Sequence, residues 1–228
     1  VARLFFRVTL VLVGLASAPN ARAESYNPGS VPQKKPPLIE LGAEAFARYD
    51  NGNFCDADGD AVSCTSGRAF LGGAVVPRLR LFPLLSVGVL GAYALAPGSE
   101  GSVSSDGSHD ERTLATYWFQ AEGRLHPLYG ENIHLWIAAT AGVTALRDAR
   151  DSYDANDAHT GTVANTDWGP MVGAGVGIDF HVLPFLTLGP VLRGAVLKYP
   201  DGDDTALNQN DSQFFVALGV TGTLLIQP

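Results

Sequence analysis

From Ile39 onward, apolar positions alternate with small, polar or charged ones at a period of two. In Ile39–Tyr49 one face reads Ile39, Leu41, Ala43, Ala45, Ala47 and Tyr49; the other reads Glu40, Gly42, Glu44, Phe46 and Arg48. In Ala69–Leu81, Leu71, Val75, Leu79 and Leu81 stand against Gly72, Ala74, Arg78 and Arg80. The pattern recurs in Leu85–Leu95, Thr113–His126, Ile133–Leu146, Trp168–His181, Leu186–Tyr199 and Gln213–Gln227, eight stretches in all. Such alternation marks a strand whose two faces meet different surroundings. One face is almost free of charge. The other carries few charges for a water-exposed surface, is rich in Gly and Ala, and mixes both signs. An enclosed lumen suits that second face, with the first turned to lipid. The competing arrangement is a soluble, lipocalin-like binding barrel or sandwich that buries the apolar face instead.

The connections alternate too. Asp50–Arg68, Ala96–Arg112, Arg147–Asp167 and Pro200–Ser212 are long and polar, whereas Phe82–Leu84, His126–Asn132 and Val182–Phe185 are short. Long external loops and short periplasmic turns are the habit of outer-membrane barrels, whose tilted strands cross the bilayer in about 9–11 residues. The expected fold is all-β: an eight-stranded antiparallel up-and-down transmembrane β-barrel over residues 38–228, with both termini periplasmic. Tyr49, Tyr93, Tyr117, Trp168 and Phe214 fall near its external rim, and Phe180, with Phe82, Tyr129 and Phe185 beside the turns, near its periplasmic rim. Aromatic rings favour the headgroup level.

The segment before the strands predicts the destination. Arg3 and Arg7 precede the short apolar run Leu10–Ala16, and Ala21-Arg22-Ala23 fits a small-x-small cleavage site. Residues 1–23 therefore read as a signal peptide for an outer-membrane protein of a Gram-negative-type bacterium, because the apolar run is too short to span a bilayer as a helix. Residues 24–37, with four prolines, read as a Pro-rich periplasmic leader. In that oxidising route Cys55 and Cys64 are expected to form a loop disulfide, since a zinc site needs more ligands than this pair supplies.

Composition narrows function by exclusion. The 228 residues carry 23 acidic and 15 basic groups, a net charge of −8, and only 17% are charged against 46% hydrophobic. That apolar content excludes a disordered chain. An acidic balance with no basic run excludes nucleic acid as partner. The alternating pattern resembles the small eight-stranded outer-membrane barrels of the OmpA/OmpX/OmpW type over residues 38–228. Such barrels commonly end in an aromatic residue that assists assembly, whereas this sequence reads Leu225-Ile226-Gln227-Pro228.

Eight strands leave an interior just wide enough for side chains to fill. Glu40, Glu44, Arg48, Arg78, Arg80, Glu122, Arg124, Asp179 and Arg193 are expected to point into it as a lumen charge network, because buried charges are costly unless paired. The leading reading is a salt-bridged, largely filled barrel without enzymatic activity, in a structural or surface-interaction role. The alternative is a small channel or carrier for small or hydrophobic molecules, lined by the same charges. His126, His134 and His181 face inward at the periplasmic ends of consecutive strands, close enough to converge on a metal or to form a pH-sensitive mouth. The long loops hold most of the acidic residues, which suits exposed, solvated loops and equally a surface for cations or cationic partners beside the lipid. Asp56, Asp58 and Asp60 faintly resemble a calcium loop but depart from the EF-hand: Gly59 stands fourth and Gly67 occupies position twelve. Asp201-Gly202-Asp203-Asp204 is an equally weak second stretch. No cofactor is implied. Ser108-His109-Asp110 has triad residue types but adjacent on one loop, not converging from fixed positions. Gly173-Ala174-Gly175-Val176-Gly177 fails the dinucleotide spacing and sits in a strand pattern.

Overall fold

The computed structural model describes residues 39–58, 61–98, 100–103, 107–130, 132–198 and 213–226, with backbone alone for 53–58, 61–66, 100–103 and 129. The expected signal peptide and leader, residues 1–23 and 24–37, lie outside them. Nine strands follow in order: β1 (Ile39–Asp58), β2 (Ala61–Phe82), β3 (Leu85–Leu95), β4 (Glu100–Val103), β5 (His109–Tyr129), β6 (Ile133–Tyr153), β7 (His159–Leu183), β8 (Leu186–Leu197) and β9 (Gln213–Ile226). β3 and β4 both pair along β5 and together make one barrel strand. Pro97 lies between them and has no N–H to give to the ladder. Eight antiparallel strands thus form an up-and-down ring that the β1–β9 pairing closes. A ring has no free edge in the membrane, so its backbone polar groups are satisfied internally.

The two faces separate as the alternation predicts. Leu71, Val75, Val89, Phe119, Ile137, Val172, Leu192 and Leu218 are exposed on the outside, while Phe46, Phe70, Ala74, Arg78, Trp118 and Trp136 are buried inside. Tyr49, Tyr93, Trp168 and Phe214 are exposed near the hairpin end, and Tyr93 packs on Tyr117 with ring centroids 5.1 Å apart. Phe82, Phe180 and Phe185 are exposed near the opposite, turn end. The Tyr129 side chain lies outside the described residues.

The connections differ from the expected long loops. Asp50–Arg68 continues as a ladder to the pair Asp58↔Ala61. β5 and β6 stay paired to His109↔Tyr153, and β6 and β7 to Tyr153↔His159. Much of what read as loop is therefore tall β-hairpin standing beyond the aromatic belt. Once a strand leaves both lipid and lumen, neither face must be apolar, so the period-two signal fades while backbone pairing continues. Residues 199–212 lie outside the described residues.

Glycine makes room for the large interior rings at a specific place. A Cβ on Gly177 would lie 2.3 Å from Cζ2 of Trp136 and 3.0 Å from the Pro190 carbonyl oxygen. Trp136 is fully buried and cannot swing away, because the Arg124 guanidinium lies 3.5 Å from its ring centroid. Gly177→Ala is expected to cost about 1–3 kcal/mol by overpacking. Urea unfolding of the lipid-folded protein measures it; an unchanged midpoint would mean that the Trp136 seat is not tight.

Candidate functional site

The lumen holds charged groups that the strands place at neighbouring levels, and Glu40, Glu44, Arg78, Arg80, Glu122, Arg124 and Arg193 form one linked network among them. β1 supplies Glu40, Glu44 and Arg48; β2 supplies Arg78 and Arg80; β5 supplies Glu122 and Arg124; β7 supplies Asp179 and β8 supplies Arg193. All are buried. At mid-height, Arg193 donates through Nε (2.8 Å) and Nη2 (2.6 Å) to Glu44, and through Nη1 (2.7 Å) to Glu122. Arg124 donates to Glu122 through Nε (2.7 Å) and to Glu44 through Nη2 (3.2 Å). Two carboxylates and two guanidiniums thus form a closed square across the barrel. Arg78 lies alongside, 3.6 Å from Glu122 and 3.4 Å from Glu40, and its Nη2 reaches Thr223 Oγ1 at 3.5 Å. Arg80 donates to the other oxygen of Glu40.

Trp136 floors part of this square. Its ring lies under Arg124 and 5.7 Å from the Arg193 guanidinium carbon, so charge pairing and cation–π contact act on the same groups. Nearer the hairpin end, Arg48 grips Asp50 with both Nε (2.5 Å) and Nη2 (2.6 Å) and donates to Thr116 Oγ1 at 3.1 Å. Its guanidinium carbon sits 3.9 Å from the Phe215 ring centroid, 4.7 Å from Trp118 and 5.9 Å from Phe70. Trp118 also packs against Phe46 and Phe215 at 5.3 and 5.8 Å. Above the polar square the lumen is thus filled by aromatic rings around one arginine.

Asp50 was hidden in the sequence because it stood at the first position of an expected loop. It continues the inward series Glu40, Glu44, Arg48 by one more alternate step, which is the signal that could have found it. With it, five acidic residues (Glu40, Glu44, Asp50, Glu122, Asp179) and five arginines (Arg48, Arg78, Arg80, Arg124, Arg193) are buried in the lumen, matched in number. The aromatic enclosure of Arg48 was equally unread. Phe70, Trp118 and Phe215 break the rule that large apolar side chains face lipid, and only ring closure brings them together. Arg112 and Asp148 make a further bidentate pair at the hairpin end, at 2.9 and 2.6 Å.

Asp179 stands apart: it is buried, and its Oδ1 accepts no hydrogen bond from the described residues. Two of the three inward histidines make a direct ring contact. His134 and His181 pack edge to face with ring centroids 4.4 Å apart. His126 has Ser86 Oγ at 3.1 Å and Arg80 Nη2 at 3.3 Å from its Nε2. Among the described residues no group of three or more His, Cys, Asp or Glu side chains is placed to hold a metal. The side chains of Asp56 and Asp58, and Asp60 altogether, lie outside the described residues. So do the side chains of Cys55 and Cys64, although the backbone register sets these two directly opposite one another.

No family model matches the chain, and no curated protein matches it in sequence. Solved structures do. The crystal structure of Neisserial surface protein A aligns over 82% of this chain and 97% of its own, with TM-score 0.54 and 10% identity. The fold is that of a small outer-membrane β-barrel. Weaker likenesses to outer-membrane proteins accompany it. Ail, the attachment invasion locus protein of Yersinia pestis, covers 82% of this chain and 99% of its own at 13% identity and TM-score 0.43. A major outer membrane protein from Thermus thermophilus covers 82% and 99% at 15% identity and TM-score 0.43. At these identities what the chain shares with them is the backbone fold. The network and the hairpins have to be read from its own residues.

Proposed function

We infer that this barrel resides in the outer membrane of a Gram-negative-type cell as a closed stem. Its function is to present its tall hairpins at the cell surface, in a structural or interaction role and without enzymatic activity. The observation that carries this reading is the interlocked lumen: the Glu44–Arg193–Glu122–Arg124 square, floored by Trp136 and overlaid by the Arg48 enclosure. Ions or solutes would have to break several buried charge pairs at once to pass. The pairing Ile39↔Ile226 brings the described ends of β1 and β9 together at the turn end, which supports a periplasmic side for both when the hairpins face outward. The exposed carboxylates of the hairpins suit cations or cationic partners at the surface, next to the surrounding lipid.

The test is single-channel recording from the folded protein in planar bilayers. Wild type is expected to give no discrete steps at moderate salt. Regular steps in wild type would transfer the reading to a small channel or carrier. The same location exposes Cys55 and Cys64 to an oxidising compartment, where opposed cross-strand cysteines are within disulfide reach. Alkylation of the denatured protein is expected to add two labels only after reduction, and labelling without reductant would show free thiols.

A further inference from the structure

Beyond the aromatic belt, the ends of β5, β6 and β7 carry a cluster of titratable groups that the lumen does not use. His109, Tyr153 and His159 stand in one row across the three strands. The His109 ring lies flat on Tyr153, with centroids 4.8 Å apart and planes at 8°, and His159 meets Tyr153 edge-on at 5.6 Å. His109 Nδ1 is 3.8 Å from Asp157 Oδ1, and His159 Nε2 is 3.6 Å from Asp151 Oδ1. Past the intervening row Asp110–Ser152–Gly161, Glu111, Asp151 and Thr162 are register partners, so two carboxylates oppose one another directly. Like charges in that position are unfavourable.

The turn that carries Asp157 is held in place. Asp154 Oδ1 accepts from the N–H groups of Asn156 (2.8 Å) and Ala158 (2.9 Å), and Asp157 N–H donates to the Asp154 carbonyl at 3.0 Å. The backbone N–H groups of Ala158 and Asn156 hold the Asp154 carboxyl below the usual range. Asp157 itself adopts a left-handed φ of 59°, a conformation that Asp tolerates better than most residues.

The hydrogen bonds also set a tautomer. Thr162 has one hydroxyl proton, and it points to Asp151 Oδ1 at 2.5 Å. Toward His159 Nε2, 3.0 Å away, Thr162 Oγ1 must therefore accept, so Nε2 carries the hydrogen. The neutral ring keeps its lone pair on Nδ1, and a second proton there makes a cation already aligned through Thr162 with the Asp151 carboxylate. At His109 a second proton produces a cation lying on the Tyr153 face and beside Asp157, two favourable contacts at once.

We propose that His109 and His159 form a proton-operated clasp that ties the ends of β5, β6 and β7 together when both imidazoles are charged. The titratable groups facing it are Glu111 from β5, Asp151 and Tyr153 from β6, and Asp154 and Asp157 from the turn; the β7 residue in register with Asp151, Thr162, is neutral. With neutral imidazoles the charged groups named here are all carboxylates, and Glu111 and Asp151 oppose one another. Two added protons halve the formal negative charge of these four carboxylates and convert His109–Asp157 and His159–Asp151 into ion pairs between elements. Histidine is the side chain that ordinarily changes charge between pH 5 and 8. The clasp therefore loosens toward alkaline pH and tightens toward mildly acidic pH, giving the hairpins a stiffness that follows the outside medium. This goes beyond surface presentation by assigning its regulation to particular side chains.

The test is backbone amide exchange at residues 154–159 in the full-length protein in lipid nanodiscs, at pH 8 and pH 5.5, divided by the intrinsic exchange rates. Protection is expected to rise about fivefold at the lower pH, the combined order of two exposed ion pairs. The rise is expected to be partial in H109Q or H159Q and absent in the double variant. A flat response in wild type, or a rise that survives in the double variant, overturns the proposal. Should a variant misfold, imidazole nitrogen shifts of wild type still decide: His159 is expected in its Nε2–H form at pH 8, and the opposite tautomer defeats the relay through Thr162.

Discussion

Glu122→Ala is expected to lower the unfolding free energy of the barrel by about 3–5 kcal/mol, the usual cost of stripping a buried charge pair of one partner. Glu122 receives Arg124 at 2.7 Å and Arg193 at 2.7 Å, with Arg78 at 3.6 Å, and its side chain has no solvent exposure. Removing it leaves four arginines, Arg78, Arg80, Arg124 and Arg193, sharing Glu44 and Glu40 in the buried lumen. Relief comes only by admitting solvent or an anion, so the same variant is expected to give conductance events in planar bilayers where wild type gives none. Urea titration of the vesicle-folded protein, followed by the heat-sensitive mobility of the folded band in SDS, measures the stability arm. If Glu122→Ala keeps the wild-type midpoint and stays silent in bilayers, the square is ornamental. Pairing it with Arg193→Ala checks the mechanism: the double variant should recover part of the loss, because an unmatched cation has gone with the carboxylate.

Arg48→Ala is expected to cost a similar amount, about 3–5 kcal/mol, for a different reason. The arginine grips Asp50 bidentately and also fills the space between Phe215, Trp118 and Phe70. Its removal leaves a buried carboxylate alone and opens a void among three rings. Arg48→Lys should not restore stability, because an ammonium offers neither the planar two-point grip nor a stacking face. Arg48→Met with Asp50→Leu should approach wild type, since an apolar pair of similar volume carries no desolvation cost. Urea midpoints for the three variants decide it, and a stable Arg48→Lys would show that charge alone is what the site requires.

The strands, their faces and the ring were legible because lipid outside and a narrow interior inside impose opposite demands on successive residues. Leu71, Val75 and Leu79 answer one demand; Arg78 and Arg80 answer the other. Above the belt both demands lapse. The stretches 50–68 and 147–167 therefore read as loops, although their backbones continue as ladders. Trp118 and Phe215 fell outside the inward sets for a related reason. Composition marks large aromatics as lipid-facing, whereas the phase of the strand puts these two inside, where they shield an arginine.

The sequence by itself determined the fold class, the membrane-type outer surface and the inward direction of Glu40, Glu44, Arg78, Glu122 and Arg193, since each follows from parity along one strand. Only the tertiary structure decided which charge meets which. Glu44 and Arg193 are 149 positions apart, and Glu122 and Arg193 are 71 apart. Their level in the lumen depends on the register and tilt of every strand between them, so neither parity nor composition could pair them. The same holds for His109 and His159, which stand in one row only because β5, β6 and β7 stay paired beyond the membrane.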